Sequence, residues 1–179
     1  EPEEMDGEEL GLLDDLYEFV TSTVKEDQIL SIDEVCEWHR KWLGQVYDWA
    51  GRTRTLNLSK GDFHFAAAHR IPDLLVDLDR ELGYYTPCNR MTQDEVIETI
   101  AYIHVEFILV HPFREGNGRI ARLLATIMAL QAGLPELDFS SWHESRERYF
   151  TAIQQGMAGN YGPMQELVRQ ALRDAGASA

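Results

Sequence analysis

Hydrophobic residues return every three or four positions along most of this chain, and that spacing predicts helices. Leu10, Leu13, Leu16, Tyr17 and Val20 mark a first helix, formed by about residue 10. Ser31-Ile32-Asp33-Glu34 reads as a capping box, in which a serine hydroxyl and a glutamate carboxylate each satisfy one free N–H of the first turn. The helix it opens has Ile32, Val35, Trp38, Leu43 and Val46 as apolar positions. Between Gly51 and Ala68 the period changes. Thr53, Thr55 and Leu56 favour extended chain, Ser59-Lys60-Gly61-Asp62 is turn-like, and Phe63 and Phe65 alternate, so a short hairpin is expected. Helix resumes over Ile71–Leu82 and is closed by Gly83, with a loop around Pro87.

A second capping box, Thr92-Gln93-Asp94-Glu95, opens a strongly apolar helix through Val96, Ile97, Ile100, Ile103, Phe107, Ile108 and Val110. Pro112 stops it at His111, because a residue before proline is kept out of the helical region. Another apolar helix follows from about Asn117 to Ala132, capped by Gly133 and Pro135. Two more cover Trp142–Met157 and Pro163–Asp174. The predicted class is all-α, with one short β-hairpin. No internal repeat, low-complexity tract or linker interrupts it.

A length of 179 residues suits one domain, or one domain with a short extension. Sixteen basic against thirty-one acidic residues give a formal net charge of −15, which disfavours direct binding to nucleic acid or an anionic membrane. Nine of the acids (Glu1, Glu3, Glu4, Asp6, Glu8, Glu9, Asp14, Asp15 and Glu18) fall in the first eighteen residues. A solvated helical face or a frayed end accounts for them. The chain divides accordingly into an acidic N-terminal helical extension, 1–29, and a main domain, 30–175. No apolar run reaches the roughly 20 residues of a membrane span, and no signal peptide is visible. Cys36 and Cys88 lack CxxC spacing, so a reduced, cytoplasmic protein is expected. A first residue other than Met suggests a fragment or a processed product.

The chemistry concentrates in His111-Pro112-Phe113-Arg114-Glu115-Gly116-Asn117-Gly118-Arg119-Ile120-Ala121-Arg122. Gly116 and Gly118 allow close backbone approach, so several N–H groups at a helix start can point at one anion. Arg119 and Arg122 are three apart and share a helical face. Glu115 offers a hard oxygen to Mg²⁺, and His111 can take a proton from an incoming hydroxyl. Together they outline a phosphoryl- or nucleotidyl-transfer site, whereas each alone reads as a surface charge or a structural residue. A P-loop is excluded, since GxxxxGK[ST] is missing.

His111–Arg122 resembles the Fic signature, HPFx[D/E]GNGRxxR, at every defined position. Val46-Tyr47-Asp48-Trp49-Ala50-Gly51-Arg52-Thr53-Arg54-Thr55 resembles the run before that family's flap, Ser59–Ala66 the flap itself, and Gln131-Ala132-Gly133-Leu134-Pro135 the turn after the motif helix. The likeness spans roughly residues 30–170. It implies a Fic-type helical core with a short β-hairpin flap, so that 30–175 is a Fic domain. The implied enzyme is a protein adenylyltransferase (AMPylase), which moves AMP from ATP to a Ser, Thr or Tyr hydroxyl and releases pyrophosphate.

By the same resemblance His111 is the general base and Glu115 holds Mg²⁺ between the α- and β-phosphates. Gly116, Asn117 and Gly118 form the anion hole, Arg119 holds phosphate, Arg122 reaches the γ-phosphate, and Phe113 anchors the loop. The flap residues Ser59, Lys60, Gly61, Asp62, Phe63, His64 and Phe65 pair with the protein substrate by strand addition. Related kinases of the Doc type carry Lys at the position of Gly118, and phosphocholine-transferring relatives carry Ala at that of Gly116. Both glycines therefore favour AMP transfer.

Members of the family are often silenced by a helix bearing [S/T]xxxE[G/N], whose glutamate pairs with the second motif arginine, here Arg122. Ser22-Thr23-Val24-Lys25-Glu26-Asp27 departs from it and reads as an ordinary helix end. The inhibitory helix then lies upstream of Glu1, belongs to an antitoxin partner as in a toxin–antitoxin pair, or does not exist. The adenine pocket lacks the usual Asn, and Tyr149 is either its aromatic neighbour or a core residue. His104 and His111, seven apart, have no third metal ligand at suitable spacing. His39, His64, His69 and His143 read as surface or packing residues, and Trp38, Trp42, Tyr47 and Trp49 as core, with Trp49 a candidate buttress for the flap. Two other functions remain open: removal of AMP from a modified protein, and a nucleotide-binding module without useful turnover. The resemblance places the protein in a bacterial-like cytoplasm or in a host cell to which it is delivered.

Overall fold

Helix α4 (Gln93–Val110) organises the molecule. Its sequence is apolar almost all round, and such a helix is stable only when other elements enclose it. The structure, a computed structural model, describes residues 7–177. In it α3 (Ile71–Tyr85), α5 (Asn117–Gln131), α7 (Arg146–Met157) and α8 (Gly162–Ala177) all pack on α4. Eleven of its eighteen residues are buried, among them Ile97, Ile100, Ile103 and Phe107. Each of those four contributes about 1.5–3 kcal/mol by leaving water. The Thr92 capping box forms as expected, with Thr92 N–H donating to the Glu95 carboxylate at 2.7 Å and Glu95 N–H to the Thr92 hydroxyl at 3.4 Å.

Helices α1 (Gly7–Thr23) and α2 (Ile32–Leu43) cover one side of this core, α1 on α2 and α5, α2 on α3 and α5. The acidic start is not frayed over the described residues. Leu16 and Val20 bury one face of α1, the Trp42 indole donates to the Glu9 carbonyl at 3.0 Å, and the Tyr47 hydroxyl donates to the Glu9 carboxylate at 2.7 Å. Glu8, Asp14, Asp15 and Glu18 form the solvated face. The remaining acids, Glu1, Glu3, Glu4 and Asp6, lie outside the described residues. Two strands, β1 (Ser59–Lys60) and β2 (Phe63–His64), pair antiparallel with Ser59 opposite His64 and Lys60 opposite Phe63.

Several boundaries differ from expectation. Leu10 is exposed on α1, and Val46 lies beyond the end of α2 and is exposed as well. Gly83 does not close α3, which continues to Tyr85 and stops where Thr86 turns extended before Pro87. Ser59 and Lys60 are strand, and Gly61, with φ +57°, makes the turn with Asp62. The helix expected over Trp142–Met157 is two helices, α6 (Ser140–Glu144) and α7, because Ser145 leaves helical conformation with φ −119° and ψ 64°. The Ser22–Asp27 segment is the end of α1 at Thr23 and irregular chain after it, as expected of an ordinary helix terminus.

Two histidines are built into the core. His39 Nδ1 accepts the Gly51 N–H at 2.8 Å, so the ring proton sits on Nε2 and is donated to the Glu115 carbonyl at 3.1 Å. His104 faces the Ala121 carbonyl with Nδ1, at 3.4 Å, and accepts the Tyr149 hydroxyl on Nε2 at 2.8 Å. Burial lowers the pKa of His39 to about 4 and of His104 to about 3. Unfolded histidine, near 6.5, therefore binds protons that the folded rings refuse, and stability is whole above that pH and lost as pH falls toward 4. Urea unfolding between pH 7 and 5 should show stability falling, with each of these rings contributing as much as about 1.4 kcal/mol per pH unit. In His39→Gln a slope of about that size should disappear; an unchanged slope would mean that the ring already carries a proton in the fold.

Candidate active site

The six residues between α4 and α5 leave one buried helix and enter another, and their polar groups are tied at three points. His111 caps α4 in left-handed conformation, φ 50° and ψ 60°, with its N–H on the Phe107 carbonyl at 2.9 Å. Asn117 clamps the middle of the loop: Phe113 N–H donates to its side-chain oxygen and its amide donates back to the Phe113 carbonyl, each at 2.9 Å. The Phe113 ring is fully buried and stacks on His39 with centroids 3.9 Å apart. His39 in turn holds the carbonyl of Glu115.

Gly116 then starts α5 with φ +78°. A β-carbon there would lie 2.5 Å from the Trp42 ring, so conformation and space both require glycine. The N–H groups of Asn117 and Gly118, first in α5, have no hydrogen-bond partner among the described residues. They face the positive end of the helix dipole and are available to an anion. Gly116 N–H is taken by the Glu115 carboxylate at 3.0 Å.

These groups line a cavity of about 650 Å³ that also meets β1 and α7. Lys60, Arg114, Arg119, Arg122 and Arg146 contribute five cations to its wall, against the single carboxylate of Glu115. In a protein of net charge −15 this concentration of positive charge marks an anion site. Arg119 lies over the Trp42 ring at 5.5 Å, with Nη1 3.8 Å from Glu115. Arg122 has no acidic partner among the described residues, and burial, the largest effect on it, disfavours its charge. The His111 imidazole stacks on Phe65 at 3.7 Å and turns Nδ1 to the Ile108 carbonyl at 3.3 Å. Its pKa is lowered to about 4, first by burial and further by the positive charges of Arg54 and Lys60.

At the far end the cavity is aromatic and apolar, with Trp142, Tyr149, Phe150 and Ile153. Tyr149 stacks on Trp142 at 5.3 Å and gives its hydroxyl to His104, so it serves both readings made of it, a cavity wall and a packed residue. Of the hairpin, Ser59, Lys60, Gly61 and Phe65 line the cavity, whereas Asp62, Phe63 and His64 do not. Phe63 instead packs on Phe65 and Phe150, at 5.3 and 5.9 Å, and Lys60 sits over Phe150 at 4.8 Å. Trp49 stacks on Tyr47 at 4.7 Å, near His39 rather than the hairpin.

Two residues at the site carried no assigned role in the sequence reading. His39 was grouped with packing residues and is one, yet its ring fixes the Glu115 backbone. Its place among Val35, Trp38 and Trp42 on the apolar face of α2 was the available signal. Arg54 is 2% exposed and binds carbonyl oxygens on both sides of the hairpin and at the end of α4; it falls in the run Val46–Thr55 that resembles the family's run before the flap, and that resemblance gave it no role of its own.

Known proteins resemble this chain in sequence and fold. The protein adenylyltransferase fic-1 of Caenorhabditis briggsae is 32% identical over 155 residues, covering 86% of this chain and 29% of that protein. The chain thus spans less than a third of that relative. The solved structure of Fic-1 (residues 134–508) from Caenorhabditis elegans aligns with a TM-score of 0.76 at 26% identity, covering 95% of this chain and 50% of that one. The fold is also that of the BepC protein of Bartonella tribocorum, solved with bound AMPPNP: TM-score 0.72, 22% identity, 92% of this chain and 82% of that one. The model of the Fic/DOC family matches residues 29–129, from the entry to α2 to the end of α5, and the chain belongs to that family.

Proposed function

We propose that this protein is an adenylyltransferase that moves AMP from ATP to a Ser, Thr or Tyr hydroxyl of a target protein, releasing pyrophosphate. The observation that carries the reading is the convergence of the His111 ring, two free N–H groups and five cations on one cavity bordered by a hairpin. The nematode relative, a protein adenylyltransferase, agrees with it.

In this reading the triphosphate lies across the start of α5. Asn117 and Gly118 N–H groups, Arg119 and Arg122 meet its charge. His111 Nδ1 carries the ring proton toward the Ile108 carbonyl, which leaves Nε2 as the acceptor. The target hydroxyl gives its proton to Nε2 while its oxygen bonds to the α-phosphorus, and the bond from that phosphorus to the bridging oxygen of the β-phosphate breaks. Glu115 suits Mg²⁺: it is the one carboxylate on the cavity, and among the described residues no group of three His, Cys, Asp or Glu forms a closed cage. Glu115 would hold the Mg²⁺, which would supply charge neutralisation at the phosphates. The base rests in the aromatic end beside Tyr149. The hairpin, Ser59 to Phe65, pairs with the target backbone.

Gly118 supports AMP rather than phosphate transfer. A β-carbon there would touch Arg122 Nη1 at 3.4 Å, so a longer side chain displaces the guanidinium that steadies the end of the triphosphate. The free charge of Arg122 also supports control by a glutamate from an inhibitory helix or an antitoxin partner. Both cysteines are free, and no helix among the described residues is long and apolar enough to cross a membrane. These features agree with a cytoplasmic protein, including one delivered to a host cell.

Incubation with ATP and Mg²⁺, followed by intact-mass analysis, should show one or more AMP units added to the protein itself or to an added target. In His111→Ala the gain should vanish, with AMPPNP affinity within about threefold of wild type; a gain of bare phosphate would overturn the reading. Because the pKa of His111 is lowered to about 4, kcat/KM should stay flat from pH 5.5 to 8; an inflection near 6.5 would mean that the ring titrates as it does in water and that burial does not hold it neutral. Gly118→Lys should cut AMP transfer by about a hundredfold or more, some 2.7 kcal/mol of barrier.

A further inference from the structure

We infer that Arg54, which lines no part of the cavity, is the positioning residue that sets the hairpin against the proton acceptor His111. The inference rests on the AMP-transfer reading for its kinetic consequence and on geometry alone for its structural one. Arg54 is 2% exposed, and among the described residues it has no carboxylate partner. Burying a cation is costly unless its N–H groups are all engaged. Here four of the five bind carbonyl oxygens. Nε donates to His111 at 2.7 Å, Nη1 to Leu56 at 2.7 Å, and Nη2 to Ala66 at 2.7 Å and Val110 at 3.2 Å. The Arg54 backbone N–H adds a bond to the Pro112 carbonyl at 2.8 Å.

Three segments therefore meet on one planar group. Leu56 precedes the hairpin and Ala66 follows it, so the guanidinium pinches its two ends together. Val110 and His111 are the last carbonyls of α4, where the helix dipole favours a cation and no intrahelical donor remains. His111 is also the one non-glycine residue with positive φ among those described, a conformation worth about 1–2 kcal/mol of strain that its neighbours must hold. Fixing the hairpin base and the His111 backbone with the same fork fixes their separation. A hydroxyl presented on β1 or β2 then meets the imidazole at a set distance, which is where misplacement by about 1 Å costs about a hundredfold. The anion-binding start of α5 is held separately, by Asn117 and His39, so loss of the Arg54 fork should leave nucleotide binding intact.

Arg54→Lys keeps the charge and removes the fork, since one ammonium cannot span three segments. Amide hydrogen exchange in this variant should accelerate at least tenfold at Phe65 and Ala66, whose N–H groups bond Leu58 and Leu109, while Ile100 and Ile103 in α4 stay protected. AMPPNP with Mg²⁺ should bind within twofold of wild type, and kcat for AMP transfer should fall about thirtyfold or more. Unchanged exchange at Phe65 and Ala66, or exchange that rises equally at Ile100 and Ile103, would overturn the inference. Selective loosening of the hairpin in a protein whose wild type transfers no AMP would uphold the positioning role of Arg54 and sink the transferase reading instead.

Discussion

A buried backbone polar group must find a partner, and the junction between α4 and α5 is where that requirement is hardest to meet. The last carbonyls of one apolar helix and the first N–H groups of another come together within six residues. Side chains satisfy nearly all of them. Arg54 takes the carbonyls of Val110 and His111, Asn117 takes both groups of Phe113, and His39 takes the carbonyl of Glu115. The N–H groups of Asn117 and Gly118 are left without a partner among the described residues, at the cavity wall. The start of α5 is thus a part of the junction that the fold does not close.

The charge distribution follows the same logic. Arg122 and Arg119 emerge from α5 beside those free groups, and Arg122 meets tyrosines, not acids. The excess of acidic residues elsewhere is kept apart from it: the described acids of α1 face solvent, except Glu9, whose oxygens are taken by Trp42 and Tyr47. A local positive field inside a negative protein draws anions to one place and discourages them from the rest of the surface.

The histidines divide by environment. His39 and His104 are each held by two hydrogen bonds that fix the tautomer, and they serve as neutral struts. His111 has one weak bond at Nδ1 and an aromatic face on Phe65, which leaves its other nitrogen to the cavity. The same residue type thus serves as scaffold at two positions and keeps a nitrogen open to the cavity at the third, and the number of nitrogens already engaged tells them apart.

Much of this was legible along the chain, because helix periodicity, capping boxes and the Fic signature are all local in sequence. Ser31-Glu34 and Thr92-Glu95 announced two helix starts, and His111–Arg122 announced the site, since the physics of a cap or a helix N-terminus involves residues within one turn. The boundaries misplaced at Gly83, Ser59 and Ser145 stay within a few residues of those expected. What the chain does not carry locally is its long-range contacts, and Arg54 and His39 show this most clearly. Their partners lie 57 and 76 positions away, at His111 and Glu115, and no pattern near Arg54 or His39 encodes those distances. The signature residues His111–Arg122 were set by sequence alone; the residues that hold them in register were decided only when α2, the hairpin and α4 came together, because a buried donor finds its acceptor in space and not along the chain.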